Sequence, residues 1–563
     1  MSKRALVPLW LLGLALSGAC SRTDSADVVL RHGAIYPEAG DSGTVESLAV
    51  RNGRIVYTGT DRGVRSYIGD RTEVIELGGR MVLPGFHDTH MHPSGGITLA
   101  ECTLDDLATP EAILDSVSRY ATTHPALAWI RGRGWQLPVF PEANPRREWL
   151  DRVVPDRPVY LTAADGHSAW VNSKALALAG ITHDTKDPPN GRIERDPLTG
   201  EPTGTLREQA EELVARLLPA RTQEETRAGL VRALGMANRF GITTVHEANA
   251  GPDLLQAYAM LDSAGQLSAR VIAALQTDPK AGPGQVDSLR AWRGRYRGTR
   301  YYSPKAAKIF ADGVIEAKTA ALLAPYTGSD TPGEPNLSPA AMDTLVAALD
   351  AAGFQVHVHA IGDRAVRMSL DAFEFARRHN GPRDARPIIA HLELIDPADI
   401  PRFAALGVIP SFQPLWAYAD KYITDLTVPI LGPERSRWLY PIASVAKTGA
   451  HLAAGSDWSV SSMNPFEAIQ VAITRRAPDA PPGPPWIPEE TVDLPTMLRA
   501  YTSGGAYAAG EEASNGDLEV GKAADLIVLD RNLYRIPVTE LHAVHVLLTL
   551  LDGKTVWRDR TLH

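Results

Sequence analysis

Two kinds of hydrophobic pattern divide the chain. The stretches ADVVLRHGAIYP (26–37), SLAVRNGRIVYTG (47–59) and TEVIELGGRMVLPG (72–85) alternate apolar and polar residues and are punctuated by Asn-Gly and Gly-Gly pairs. This is the pattern of short, half-buried strands joined by tight turns. It returns at the far end in ADLIVLDRNLY (524–534) and HAVHVLLTLLDGKTVWRD (542–559). In between, apolar segments end in polar residues and amphipathic helical stretches follow: GITTVHEA, KAAKIFADG, FQVHVHAIGD, RPIIAHLELI, GVIPSFQP and GAHLAAGSDW. Strands separated by helical patterns predict parallel βα units. These six, with the opening MVLPGFHDTHMH, come close to eight. They predict an α/β fold, a (β/α)8 TIM-like barrel with its site at the C-terminal strand ends, joined to a small β-sandwich domain built from both chain ends. The expected boundaries are 27–84 plus 515–563 for the sandwich and 85–514 for the barrel, with an insertion around 100–240. The Pro-rich stretch 475–490 predicts a surface loop after the last strand.

Composition narrows the class. The chain has 563 residues, 44% of them hydrophobic and 22% charged, an ordinary globular balance. The net charge of -9 comes without a long basic run, so nucleic acid is not an expected partner. The first twenty residues differ: Lys3 and Arg4 precede an apolar run over 5–16, then small residues and Cys20. The run is too short to span a bilayer and suits a signal peptide over 1–20. It resembles a bacterial lipoprotein signal, with Ser17 where that signal usually has Leu and Leu16 one place earlier. The expectation is export, to the periplasm or to a membrane surface through an acylated Cys20 as the only membrane contact; plain cleavage is the alternative. Cys102 is the other cysteine, so loss or lipidation of Cys20 leaves no disulfide.

Candidate chemistry sits at the ends of the apolar strands. His90 and His92 are two apart, so on a strand they share a face and can hold one transition-metal ion. Lys308, His359, His391 and Asp457 each end a distant strand, and a barrel would gather them. Taken singly, a histidine in such a place is more often a hydrogen-bonded core group than a ligand. His357 shares the face of His359 but lies deeper, as packing or support. His87 and Asp88 adjoin the first pair, Asp88 to orient an imidazole through its other nitrogen. Asp312 and Asp363 follow strands, Asp363 as a helix cap. Lys308 at a core strand end faces a desolvation cost that suggests a special role. His246 and Glu247 end another strand. Asp165 and His167 in ADGHSAW, Trp135 in GRGWQLP and Trp486 in the late loop are candidate substrate contacts.

The ordered set HDTHMH after PGF, a lysine strand, two later histidine strands and a final GSD resembles the metal-dependent amidohydrolase superfamily. The stretches DGHSAWVNSKALALAGI, TGTLREQA, KIFADGVIEAKTA, HVHAIGDRAV and AYTSGGAYA are similar to its YtcJ-like branch, which includes N-substituted formamide deformylases. The resemblance covers nearly everything after residue 27. It implies His90, His92, His359, His391 and Asp457 as ligands of one or two divalent ions, most simply zinc. Lys308 stands where many relatives carry a carboxylated, metal-bridging lysine. It implies metal-activated water cleaving a non-peptide C–N bond of a small amide, formamide or cyclic amide, with Asp457 as general base, His246 at the pocket, and Asp165 and His167 at the substrate; Trp135 is a pocket candidate on its residue type alone. No GxSxG elbow competes with water as nucleophile. Deamination or ester hydrolysis at the same site, and an exported binding or regulatory protein without turnover, are the alternatives.

Overall fold

The computed structural model describes residues 25–40, 43–105 and 107–562; the signal segment and Cys20 lie outside them. Eight parallel strands form one continuous sheet. In chain order they are β1 (Phe86–Met91), β2 (Ile242–Ala250), β3 (Arg270–Gln276), β4 (Tyr302–Phe310), β5 (Gln355–Ala360), β6 (Ile388–His391), β7 (Ile409–Phe412) and β8 (Ala453–Ala454). Their runs are buried almost throughout, as strands covered by helices on one side and a packed interior on the other must be. The sheet closes where β8 meets β1: Thr89 Oγ1 donates to Ala454 O at 3.0 Å and Asp457 N to His90 O at 2.7 Å. Gly455 sits at this seam because a Cβ there would lie 2.5 Å from His90 N. The α/β barrel read from the strand-helix alternation is the observed fold.

Both chain ends meet in two small sheets. One pairs Val28–Arg31, Ser47–Arg51, Arg54–Gly59 and Glu73–Glu76; the other pairs Ala34–Ile35 and Met81–Pro84 with Leu526–Leu529, Val546–Leu551 and Lys554–Arg558. Leu30, Leu48 and Ile75 from the first pack on Leu526, Val528 and Leu548 from the second. Asn52-Gly53 and Asp552-Gly553 join their hairpins with φ of 52°, 76°, 46° and 69°, the left-handed pair that matches strand twist in a two-residue turn.

Between β1 and β2 the chain builds a fourth sheet, of six strands spanning Cys102–Glu208, in the order Gly191–Arg195, Pro202–Glu208, Ser168–Val171, Val159–Ala163, Ile130–Trp135, Cys102–Thr103. It has apolar clusters of its own around Trp135, Phe140 and Trp170, and around Leu176 and Leu206. The helix Gln223–Arg239 falls inside the range expected for the insertion but packs Leu230 and Leu234 into the barrel core. Among the described residues no helix is long and apolar enough to cross a membrane, and Cys102 is buried and free.

Candidate metal centre

The strand ends converge. Ligand atoms of His90, His92 and Asp457 all lie within 4.8 Å of one another. Asp457 Oδ1 is 3.3 Å from His92 Nε2 and 3.7 Å from His90 Nε2, and its Oδ2 is 3.8 Å from His391 Nδ1. Lys308 Nζ is 3.2 Å from His90 Nε2. His359 joins at the edge: its ring lies 4.4 Å from that of His391, and its Nε2 meets Gly313 O at 3.2 Å. His391 and Asp457 both hold positive φ, 77° and 52°, a cost that a non-glycine residue carries where the surroundings force it.

Burial keeps the imidazoles of His90, His359 and His391 neutral, well below the usual histidine range, helped by neighbouring cations. Neutral rings offer lone pairs to a metal. Burial also brings the Lys308 ammonium down to about 7, against the pull of Asp457 and Glu247, so its free amine is within reach at neutral pH. His92 behaves oppositely: burial works against its proton, but the facing carboxylates of Asp457 and Glu247 lift it to about 9. His391 Nδ1 and Asp457 Oδ1 are buried without a hydrogen-bond partner. Unsatisfied buried polar atoms are costly, and a divalent cation among these donors would satisfy both.

A supporting layer fixes the cluster. His357 Nε2 meets His90 Nδ1 at 2.8 Å, behind the site. Asp88 Oδ1 accepts from His90 N at 3.2 Å and Ser456 N at 3.0 Å, so it ties β1 to the segment carrying Asp457 rather than orienting an imidazole; burial pushes its carboxyl up to about 7. Asp312 accepts from the main-chain N–H groups of Ala321, Ile361 and Gly362, bracing the loops after β4 and β5. Asp363 is the first helical residue after the cap residue Gly362; its Oδ1 accepts from Leu323 N at 2.8 Å and from Arg364 N at 3.0 Å, so it fastens a loop and also takes up one N–H of the first turn. His87 is buried against the helix Ser503–Ala509, where a Cβ on Gly505 would lie 2.3 Å from the His87 Cβ.

Two adjoining cavities, about 620 and 370 Å³, share His359, His391 and Asp457 and also Asp165, His167 and Arg133 from the inserted sheet. His167 Nδ1 is 3.0 Å from Glu208 Oε2. Burial opposes its proton, but Glu208 and Asp165 raise it to about 10, so it stands as a cation beside the neutral histidines. Asp165 Oδ1 accepts from His167 N at 3.0 Å and its Oδ2 is buried without a partner.

Three expected contacts go elsewhere. Trp135 is fully buried, donates from Nε1 to Leu161 O at 2.9 Å and packs on Phe140 and Trp170; it is core of the insertion. His246 is buried with both ring nitrogens unpartnered and lines neither cavity. Its neighbour Glu247 takes the inward place, 3.5 Å from His92 Nδ1 and held by the Tyr258 hydroxyl at 2.9 Å. Trp486 lies under the Arg475 guanidinium at 5.0 Å, off both cavities. Residue types alone gave no sign of Arg133, Glu316 or Trp416 as cavity residues, nor of Glu208 as the partner of His167; Glu208, in TGTLREQA, carried the best available signal.

The family model described as the amidohydrolase family matches residues 73–557. The chain is 32% identical to the protein LONG AFTER FAR-RED 3 of Arabidopsis thaliana, over 94% of this chain and 92% of that one. It is 27% identical to an N-substituted formamide deformylase of Arthrobacter pascens, over 94% and 98%. A metal-dependent hydrolase of Pyrococcus furiosus, described as uncharacterized, superposes with a TM-score of 0.69 at 27% identity, over 90% of this chain and 99% of that one. The chain therefore belongs to the amidohydrolase family, in its YtcJ-like branch of metal-dependent hydrolases.

Proposed function

We propose that the protein is a zinc hydrolase that cleaves a non-peptide C–N bond of a small amide, of the N-substituted formamide kind. One observation carries this reading: the Asp457 carboxylate stands at the cavity wall among His90, His92 and His391, with Oδ1 buried and unpartnered. The metal would be held by His90, His92 and Asp457, with His391, His359 and Lys308 placed for a second ion. A divalent ion there supplies a water of lowered pKa and positive charge against developing negative charge.

The chain's own groups do the rest. Asp457 accepts a proton from the attacking water as a C–O bond forms at the carbonyl carbon. It returns that proton to the departing nitrogen as the C–N bond breaks. His167, held at Nδ1 by Glu208, offers its other ring nitrogen to the carbonyl oxygen. Trp416, parallel to the His391 ring at 5.7 Å, gives a flat wall for the substrate. The name of the Arthrobacter relative supports the formamide class. The signal segment supports export with Cys20 as lipid anchor, which mass analysis of the mature N-terminus tests.

The test is a screen of N-formyl amines, other amides, cyclic imides and esters with metal-loaded protein. The expected result is release of free amine, with Asp457→Asn losing turnover at a metal occupancy matched to the parent's. No C–N cleavage at full metal occupancy, or a variant as fast as the parent, would overturn the reading.

A further inference from the structure

The larger cavity continues away from the metal ligands into a wall of different chemistry. Glu316, Glu393 and Asp420 line it, interleaved with Trp416, Tyr418 and Tyr422. Glu393 is 5% exposed and its Oε2 has no hydrogen-bond partner. Glu316 Oε1 accepts from Thr427 Oγ1 at 2.6 Å, and Asp420 Oδ1 from Ile423 N at 2.9 Å. The one Lys or Arg lining this cavity is Arg133. It is already engaged, with Asp105 at 3.2 Å and Ser459 O at 2.7 Å. Three carboxyl groups from separate loops thus face a cavity whose cationic side chains among the described residues, Arg133 and His167, are each already paired, His167 with Glu208 at 3.0 Å.

A metal ion does not explain them. Among the described residues, His90, His92 and Asp457 are the group whose ligand atoms approach within 4.8 Å of one another; the three carboxyls are spread too widely to chelate. Spread carboxylates with aromatic faces between them suit an organic cation, whose charge is diffuse and whose stem needs apolar contact. The cavity volume of about 620 Å³ suits a small molecule reaching from Asp457 to this wall. We propose that the acidic, aromatic end receives an ammonium or guanidinium group, so that the substrate is an amide bearing a cationic tail. The substrate assignment rests on the amide-hydrolase reading; the subsite does not.

Calorimetric titration of the metal-loaded full chain with hexylammonium, hexan-1-ol and hexanoate tests it without turnover. Hexylammonium should bind at least about tenfold more tightly than the alcohol, about 1.4 kcal/mol, and hexanoate most weakly. Glu316→Gln and Glu393→Gln should each erase most of that preference, and Asp420→Asn serves in place of either if its melting curve shows an unfolded protein. Equal affinity for amine and alcohol, or a preference that survives the variants, would overturn the proposal. A chain that binds hexylammonium but cleaves no C–N bond would sink the proposed function and leave the subsite standing. A chain that cleaves neutral formamides without preferring the amine would sink the subsite alone.

Discussion

The barrel and the inserted sheet hand polar side chains to one space by different means. Barrel residues arrive from strand ends of a single closed sheet, where main-chain ladders and buried braces such as Asp88 and Asp312 fix each one. His167 and Asp165 sit at a turn of a separate sheet with its own apolar cores, and it reaches the barrel through contacts such as Tyr422 OH to Gln136 Oε1 at 2.8 Å and Arg133 to Ser459 O. The difference separates two tasks. A reacting centre needs sub-ångström placement, which a rigid sheet supplies. Holding a substrate tolerates a more adjustable wall, and His167 is the one group of that wall proposed to reach the reacting carbonyl.

The sharpest way to break this division is Asp457→Asn. It should lower kcat by about 10²–10⁴-fold, the range for loss of a proton-transfer group, at metal occupancy matched by elemental analysis; a loss under tenfold would move the chemistry off the barrel. Next, Trp135→Ala should cost the inserted sheet about 3–5 kcal/mol. Hydrogen exchange should show segments 102–208 opening while β1–β8 stay protected, and uniform loosening of both would refute their independence. Third, His167→Gln should reduce kcat by about 10²-fold, the scale of losing one oxyanion donor. Glu208→Gln should act in the same direction and more weakly. If only KM moves, His167 binds rather than polarises.

The smallest effect concerns pH. Burial, and then the like charges of Asp165 and Asp420, push the Glu316 carboxyl up to about 7; Glu393, Tyr422 and Tyr440 also sense this group. A cation favours the ionised form, so binding expels a proton and affinity should rise with pH through about 7, by at most tenfold per unit for one proton. Hexylammonium titrations at pH 6 and 8 should show this rise, flattened in Glu316→Gln. A fall in affinity over that range would contradict the sign.

The fold and the barrel-borne cluster were legible because period and strand-end polarity survive in residue order: an apolar run closing in His90, His391 or Asp457 says where that group points. Trp135 was not legible. Thr162 pairs with Arg133 and Ala163 with Trp135, so Gly134, at φ of 95°, is an extra residue in its strand. A one-residue bulge reverses the side on which everything beyond it lies, so Arg133 reaches the cavity and Trp135 the core. In β2 the extra residue falls between Ile242 and Thr244, upstream of the pair, and the inward place goes to Glu247 and not His246. Glu316, Glu393 and Asp420 come from three loops with no common period, and only folding places them together.

The seam between β1 and β8 has a temporal consequence. His90 is made early in synthesis, yet its partner carboxylate arrives after almost the whole barrel, and a cation bridging the two would clasp the first wall stave to the last. A chain whose last strand has not yet docked has half a cage. Ion capture and completion of the ring would then be a single late event of folding.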